Sequence, residues 1–353
     1  MMLGGKEGMK KFFGNIQFFM LPKEAIRRNG LFGTLGELKQ YFKVYKNWGD
    51  NVRIPVDWGD YFRIYYSFNR FYKFKHWHGS VSILEFVPPR LVYKIVYEVF
   101  NTVKINDKIE FYRVLSKNSI PLPETKFYIR NGKSYNFDGK ICKSFPVQDG
   151  EELFIKPISG MQGRGITKVV YSAMDALPRG DFLFQKVYKN HKDMSKLGNK
   201  KALNTIRMLT FLNNEREVVI ISSYLKIGGG GITDHLVKGG IGLLINQNTG
   251  IIERSGLRLD GTVVKYSYDD SGILFQGFKV PFWDDVTAMV EKAHRLFPMS
   301  RVIGWDIGIT DNGPIIVEGN TNAGMFSSQI IAGPLYKSVF VQEFLMQGDN
   351  KVK

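Results

Sequence analysis

Several things are scarce in this sequence, and each shortage removes a class of protein. A single cysteine, Cys142, excludes an intramolecular disulfide framework and fits a reducing compartment. Cys142 itself reads as an ordinary packed thiol rather than a nucleophile. Long apolar runs are missing: the most apolar stretch, VSILEFVPPRLVYKIVYEVF, is broken by Pro88-Pro89 and carries Glu85, Arg90, Lys94 and Glu98, so no membrane span is expected. The N-terminal MKKFFGNIQFFML begins basic, but its core holds Asn15 and Gln17 and no small-residue cleavage site follows. It makes a poor signal peptide, with a surface-lying amphipathic helix as the alternative. Acidic residues are the minority, 33 Asp+Glu against 49 Lys+Arg, for a formal charge of +16. A chain of that sign attracts nucleotides, anionic glycans, nucleic acid or a membrane surface, and charge alone does not choose among them. The expected location is cytoplasmic, either free or peripheral at the inner face of the membrane.

What is present is enough for more than one core. A chain of 353 residues, 44% apolar, reads as globular with two or three domains. Residues 1–103 mix aromatic and basic residues, as in YFRIYYSFNRFYKFKHWH, where Arg63, Arg70, Lys73 and Lys75 lie among aromatics. The favoured reading is a helical region with solvated Lys and Arg; the sharper one is a docking face for a polyanion or a membrane. His76 and His78 have no cysteine or carboxylate cluster beside them, which argues against zinc.

From about residue 104 the texture changes. INDKIEFYRVLSKNSIPLPET predicts a helix capped by Asn106 or Asp107, with Ile109, Tyr112, Val114 and Leu115 on its apolar side and an end near Asn118. Strand-like runs follow: LFIKPI, ITKVVY, FLFQKVY, TIRMLTFL, EVVIISSYLKI, IGLLIN and GIIERSGL. DDVTAMVEKAHRLFP predicts a late helix with Asp284 as its cap. The class is α+β, with one sheet-containing part in 104–188, another in 189–353, and a junction near residues 185–205.

Two segments carry chemistry. In GWDIGITDNGPIIVEGNTNAG two apolar strands flank the turn formers Asp311-Asn312-Gly313. A hairpin centred on Asn312 sets Asp306 directly across from Glu318, with Cβ atoms roughly 5 Å apart. Asn320 lies two residues further along the same face. Two carboxylates and an amide oxygen thus converge, with no basic residue between them in the hairpin sequence, and such a set fits Mg²⁺ or Mn²⁺ shared with substrate phosphates. In FIKPISGMQGRGITKVV, Lys156 ends an apolar strand, and Gly160, Gly163 and Gly165 let backbone N–H groups turn toward an anion. It is neither a Walker A loop nor a dinucleotide fingerprint.

Together, KPISGMQGRGITKV, DIGITDNGPIIVEGNTNAGM and NDKIEFYRVLSKNSIPLPET resemble the ATP-grasp family over roughly residues 104–330. NTIRMLTF and the EGN hairpin are most similar to its sugar-transfer-associated branch, found with polysaccharide biosynthesis. The resemblance implies an ATP site between two α+β lobes. Lys108 and Lys156 would hold the α/β-phosphates, with the loop around Gly160, Gly163 and Gly165 closing over them. Gln185, Lys186 and Val187 would meet the adenine edge and His191 the ribose. Asp306, Glu318 and Asn320 would hold Mg²⁺, and Arg207 would steady an acyl phosphate and its oxyanion. Two positions depart from the pattern. Related dipeptide ligases place an arginine two residues before the first metal aspartate, where this chain has Gly304, and the usual hinge glutamate is Gln185. Residues 1–103 match no motif.

The activity implied is an ADP-forming carboxylate–amine ligase working through an acyl phosphate, with small-molecule or glycan substrates such as a uronic acid or an amino acid. The rivals are a phosphotransferase using Asp234 or Asp260 as base, and a non-enzymatic basic protein binding nucleic acid or membrane; no specific nucleic acid is expected for the leading reading.

Overall fold

A computed structural model describes residues 22–51, 58–89, 105, 107–159, 165–172, 178–198, 201–267, 272–321 and 323–344. Contacts divide the chain into one unit of residues 1–92 and 348–353 and a larger one of residues 93–347. The expected N-terminal amphipathic helix, the Gly160 and Gly163 positions and most of the 90–106 segment lie outside the described residues.

The first unit is helical. Helix α1 (Lys23–Asn51) is interrupted at Gly30, whose φ of 65° breaks the helical backbone, and α2 (Trp58–Tyr72) packs on it. A short 3-10 turn at Ile83–Glu85 is closed by a capping box between Ser82 and Glu85. The aromatic residues that stood out in the sequence mostly turn inward. Tyr41, Phe42, Tyr45, Phe68, Phe71, Tyr72 and Phe74 are buried. The Tyr41 and Tyr45 hydroxyls both donate to the Phe86 carbonyl, at 2.7 and 2.8 Å. Buried phenols need such an acceptor, so these tyrosines serve the core of this unit.

The second unit holds two antiparallel sheets. The smaller comprises β1 (Thr125–Arg130), β2 (Lys133–Tyr135), β3 (Glu152–Pro157), β4 (Thr167–Val170) and β5 (Phe182–Lys186), in the order β2-β1-β5-β3-β4. Its core is a compact aromatic and aliphatic set, with Phe127 stacked on Phe184 at 4.2 Å between ring centres. The larger comprises β6 (Thr205–Leu212), β7 (Val218–Ile227), β8 (Ile241–Leu244), β9 (Gly256–Leu257), β10 (Val263–Val264), β11 (Val302–Thr310) and β12 (Gly313–Asn320), in the order β10-β9-β8-β7-β6-β11-β12. All nine residues of β11 are buried, which explains why it reads as a continuous apolar run rather than an alternating one.

Alternation along β11 sorts its two faces. Ile303, Trp305, Ile307 and Ile309 enter the main core, together with α3 (Lys108–Lys117) and α4 (Trp283–Arg295). The even-numbered residues, Gly304, Asp306 and Gly308, face the other way. Helix α3 begins as expected: the Asp107 carboxylate accepts from the backbone N–H of Ile109 and Glu110, and Asn118 ends it. Phe111, rather than Val114, joins Ile109, Tyr112 and Leu115 as its buried set. Helix α4 departs from expectation at its start. Its N-cap is Phe282 in the left-handed region, and Asp284 lies inside the first turn without capping it, where its charge still complements the helix dipole. Among the described residues no helix is long and apolar enough to cross a membrane.

One buried network ties α4 to the large sheet. His294 Nε2 lies 2.8 Å from the Ser300 carbonyl, and its Nδ1 lies 2.7 Å from the Thr210 hydroxyl. A carbonyl only accepts, so Nε2 carries the proton and Nδ1 accepts from Thr210, while Trp305 Nε1 donates to the Thr210 oxygen at 2.8 Å. Burial pulls the His294 pKa from 6.5 down to about 4. The folded protein therefore refuses a proton that the unfolded chain accepts. Stability should be flat above about pH 6.5 and fall by about 3 kcal/mol as the pH drops toward 4. Urea unfolding at pH 7 and pH 4.5 should reveal that slope, and His294→Gln should flatten most of it; an unchanged slope in the variant would assign it to other groups.

Candidate functional site

The cavity of about 380 Å³ in the second unit takes its walls from both sheets. Phe154, Lys156, Pro157, Gln185 and Lys186 line it from the small sheet, and Thr205, Arg207, Tyr224, Lys226, Asp306, Glu318 and Asn320 from the large one. It also receives Lys108 from the start of α3, Val187 and Tyr188 just after β5, and residues 232–237 of the glycine-flanked loop between β7 and β8.

Hairpin register aims the acids. The strands close with Thr310 opposite Gly313, a two-residue turn over Asp311 and Asn312, and Gly313 takes a φ of 106° that a side chain would strain. Continued without a break, that register would put Val317 opposite Asp306. A bulge intervenes: Ile307 pairs with Ile316, and Asp306 pairs with Glu318, so Val317 is the extra residue. The expected Asp306–Glu318 pairing is therefore correct, but the bulge produces it rather than a turn centred on Asn312. The bulged backbone is pinned, because the Tyr112 hydroxyl donates to the Val317 carbonyl at 2.6 Å.

Pairing across successive strands extends this into one row. Glu318 lies across from Asp306, Asp306 from Arg207, and Arg207 from Tyr224, spanning β12, β11, β6 and β7. As expected, no basic residue stands between the two acids, but cations from other elements flank them. Arg207 grips Asp306 with a fork, Nε to Oδ1 at 2.8 Å and Nη2 to Oδ2 at 2.9 Å. Lys226 adds a contact to Asp306 Oδ1 at 2.9 Å, and Lys108 approaches Glu318 at 3.5 Å. The hairpin is acidic by itself, but the neighbouring strands and α3 bring cations to it. Burial alone would raise the Asp306 pKa; Arg207 and Lys226 outweigh that and hold its carboxyl well below the usual range.

The lysines occupy the opposite wall. Lys156 is buried, and its ammonium donates to the Tyr112 hydroxyl at 2.5 Å. Burial pulls its pKa down to about 8, against the opposing pull of Glu318 and Asp306. Burial also lowers Lys108, which reaches the Ile158 carbonyl at 3.5 Å as well as Glu318. Gln185 is buried, with its amide within 3.4 Å of the Pro123 carbonyl and the Thr125 hydroxyl. Gly165, of the expected glycine loop, has a φ of 72° and packs against Pro157. His191 is not among the lining residues. Its backbone N–H bonds the Ile309 carbonyl at 2.8 Å and its ring meets Phe282, which places it beside the hairpin turn.

Gly304 holds the position where the resemblance led to an arginine. A Cβ there would sit 2.7 Å from the Ala323 carbonyl oxygen, so the position cannot carry an arginine without displacing backbone. Arg207 occupies the adjacent space: its Nη1 reaches the Ala323 carbonyl at 3.3 Å and passes over Gly324, where a Cβ would meet it at 2.8 Å. Sequence reasoning missed Lys226, Tyr224, Asp234 as a lining group, and Ser327, whose Oγ accepts from Tyr224 at 2.9 Å. The one available signal was a lone lysine in the otherwise uncharged strand VVIISSYLKI. Gly304→Ala should destabilise the fold by about 1–3 kcal/mol, as overpacking does. Urea denaturation tests this, and a change within about 0.5 kcal/mol would mean that the 323–324 segment gives way easily.

Residues 170–340, just under half of the chain, match the model of the sugar-transfer associated ATP-grasp family. Similar solved structures include N5-carboxyaminoimidazole ribonucleotide synthetase from Thermotoga maritima (12% identity, TM-score 0.36, covering 68% of this chain and 51% of that one). D-alanine-D-alanine ligase from Coxiella burnetii aligns at 11% identity and a TM-score of 0.38, covering 69% and 58%. D-alanine–D-alanine ligase from Bacillus anthracis complexed with ATP aligns at 14% and 0.39, covering 69% and 66%. The chain thus spans between half and two thirds of the length of these proteins. No curated protein matches the chain.

Proposed function

We propose that this chain, with its sugar-transfer associated ATP-grasp segment, is an ATP-dependent, ADP-forming carboxylate–amine ligase. The observation that carries the reading is the cavity itself. Lys108 and Lys156 line it together with the Glu318–Asp306–Arg207 row, so cations suited to phosphates and oxygen donors suited to a metal share one space. Among the described residues, seven Lys and Arg side chains line it against three carboxylates, a balance that suits a polyanion. Lys108 and Lys156 would hold the α/β-phosphates, and Gln185, Lys186 and Val187 would border the adenine.

The hairpin's donors fit a divalent cation. Among the described residues no three His, Cys, Asp or Glu side chains form a metal cluster, so the set rests on two carboxylates and an amide. That number suits Mg²⁺, which keeps several waters and shares substrate phosphates. Glu318 is half-buried and touched by Lys108, and Asn320 lies on the same wall. Asp306 Oδ1 takes two cations and Oδ2 one, which leaves an acceptor site on Oδ2. Glu318, Asn320 and Asp306 Oδ2 would therefore hold the ion, which when bound neutralises charge between the phosphates and an incoming carboxylate.

The reaction needs no protein nucleophile. A substrate carboxylate oxygen attacks the γ-phosphorus, the bond to the β-bridging oxygen breaks, and ADP leaves with that electron pair. An amine nitrogen then attacks the acyl carbon, the carbon–oxygen bond to phosphate breaks, and the amine proton passes to the departing phosphate or solvent. Arg207 contributes fixed positive charge where the acyl phosphate forms, and positioning supplies the remainder. The family description supports a carboxylate or amine tied to a sugar, such as a uronic acid or an amino acid destined for a polysaccharide. A phosphotransferase would need a base for a hydroxyl. Asp234 lines the cavity, but its carboxylate already accepts from the Thr205 N–H and hydroxyl and contacts Lys226, and Asp260 closes a turn through the Thr262 N–H.

Screening acids and amines for stimulated ADP release, with product masses, tests the activity. Glu318→Gln should keep the fold and lose turnover on the order of 10²-fold. Lys156→Ala should weaken nucleotide binding measured by calorimetry. Asp311→Asn should be silent, because the Lys192 N–H that Asp311 accepts finds the same oxygen in asparagine. Full turnover in Glu318→Gln would remove the hairpin from the mechanism.

A further inference from the structure

We infer that the exposed faces of α1 and α2 in the first unit form a docking surface for an anionic bilayer, with Phe32 as the side chain that enters the headgroup layer. This surface lies outside the ligase reading and stands or falls without it.

Among the described residues of this unit, two large apolar side chains stand out from the surface, Phe32 at 87% and Tyr66 at 49% exposed. Each begins a stripe of basic residues at helical spacing. Beyond the break at Gly30, Phe32, Lys39 and Lys43 fall at i, i+7 and i+11 of α1, hence on one narrow face, and all three are exposed. The opposite face holds Thr34, Leu38, Tyr41, Phe42 and Tyr45, all buried. The core side therefore fixes how α1 is turned, and the Phe32 face is the one left outside. On α2, Arg70 lies one turn from Tyr66. It donates to the Tyr66 hydroxyl at 2.9 Å, with its guanidinium 5.6 Å from the ring centre. Lys73, exposed, follows just past the end of that helix. The same pairing of an outward aromatic with cations thus occurs on both helices.

Charge identifies the kind of surface that complements this face. Residues 1–92 hold 15 Lys and Arg against 7 Asp and Glu, so half of the chain's formal +16 sits in about a quarter of its length. Within residues 31–46 the one acid, Glu37, lies off the stripe, half-buried, and accepts from Asn29 Nδ2 at 2.8 Å. Arg27 and Arg28, both exposed, precede the break at Gly30. An anionic layer attracts such a face, and each Lys or Arg held near it adds to the attraction. The ring selects a fluid layer among anionic partners. Phe32 stands clear of a convex helix, and at Gly36, one turn on, a Cβ would meet nothing within 4 Å. Lipid headgroups close around a ring presented in this way, while lysine stems lie along the apolar boundary and their ammonium groups reach phosphates. Single-stranded nucleic acid instead calls for aromatic platforms lining a groove. No described helix is long and apolar enough to cross a membrane, so the contact is one of lying on the surface.

The test is co-sedimentation of the full chain with vesicles of phosphatidylcholine alone and of phosphatidylcholine mixed with an equal part of phosphatidylglycerol, at physiological ionic strength. The chain should partition onto the mixed vesicles, stay in solution with the neutral ones, and come off the mixed vesicles as salt rises. Phe32→Ala, which leaves the charge unchanged, should weaken partition on the order of 10-fold. Lys39→Gln/Lys43→Gln should weaken it roughly 25-fold, at roughly 5-fold for each lysine. Lys133→Gln/Lys140→Gln removes the same charge from exposed positions of the second unit and should partition nearly as the unaltered chain does. All the substitutions are at exposed side chains, and urea unfolding checks that each variant keeps its fold. Three results overturn the inference: an unaltered chain that stays in solution with the mixed vesicles, a Phe32→Ala chain that partitions as tightly as the unaltered one, or an equal loss from the second-unit pair. If the α1 variants instead lose affinity for a single-stranded oligonucleotide, or change the sedimenting mass of the chain alone while vesicle binding persists, the face serves nucleic acid or a second copy and the bilayer assignment falls.

Discussion

The fork between Arg207 and Asp306 organises this site. It joins adjacent strands at positions that the register places opposite each other, and it sits in the middle of the row running from Glu318 to Tyr224. Neither charge would be stable there alone, because each is buried and an unpaired buried ion carries a desolvation cost that its surroundings must offset. Pairing keeps Asp306 ionised and gives Arg207 a fixed direction. A flexible arginine loses entropy when it meets an anion, whereas one already clamped by a carboxylate loses little. The fork thus converts two expensive groups into a pre-set electrostatic wall.

The rest of the second unit holds that wall against its counterpart. Gly319 has no side chain, and a Cβ there would strike Phe111 at 2.8 Å, so α3 can lie directly on the hairpin. Phe111 in turn stacks on Phe297, linking α3 to the segment that follows α4. Tyr112 then bridges the sheets: it accepts from Lys156 of the small sheet and donates to Val317 of the large one. Lys108 makes a second bridge, between the Ile158 carbonyl and Glu318. The same two lysines that would meet phosphates are therefore the ones spanning the cavity, and their positions depend on a single helix whose start is fixed by Asp107.

Much of this was legible because it is local. The α3 cap, the strand runs and the hairpin follow from spacing and turn chemistry within a few residues, and the Asp306–Glu318 facing pair was read correctly. What escaped was set by pairing between distant strands. Arg207 was named from the sequence, but nothing near Asp306 announces its fork with that arginine, 99 residues away, or its contact with Lys226. The bulge at Val317 was invisible for a related reason: its partner is the Tyr112 hydroxyl, 205 residues distant. The His191 ring sits beside a loop carrying Phe282 in an unusual backbone region, a contact that no periodicity encodes. In the first unit the favoured helical reading holds, and burial of most of the described rings assigns them to its core.

Charge balance accounts for why a strongly basic chain keeps an acidic hairpin. A cavity lined only by lysines would hold a nucleotide tightly, but it would repel the protonated form of any amine and would leave the lysines themselves crowded and desolvated. Lys156 shows the cost of burial, with a pKa drawn down to about 8 by desolvation even though Glu318 and Asp306 oppose the shift. Interleaving carboxylates keeps Arg207 and Lys226 charged where burial would otherwise discharge a lysine, as the raised pKa of Lys226 shows. The acids are thus best understood as groups that set the protonation and direction of the cations around them. On that view the proposed metal site draws on the same arrangement that keeps the cations charged, since an oxygen not claimed by a cation can face an ion.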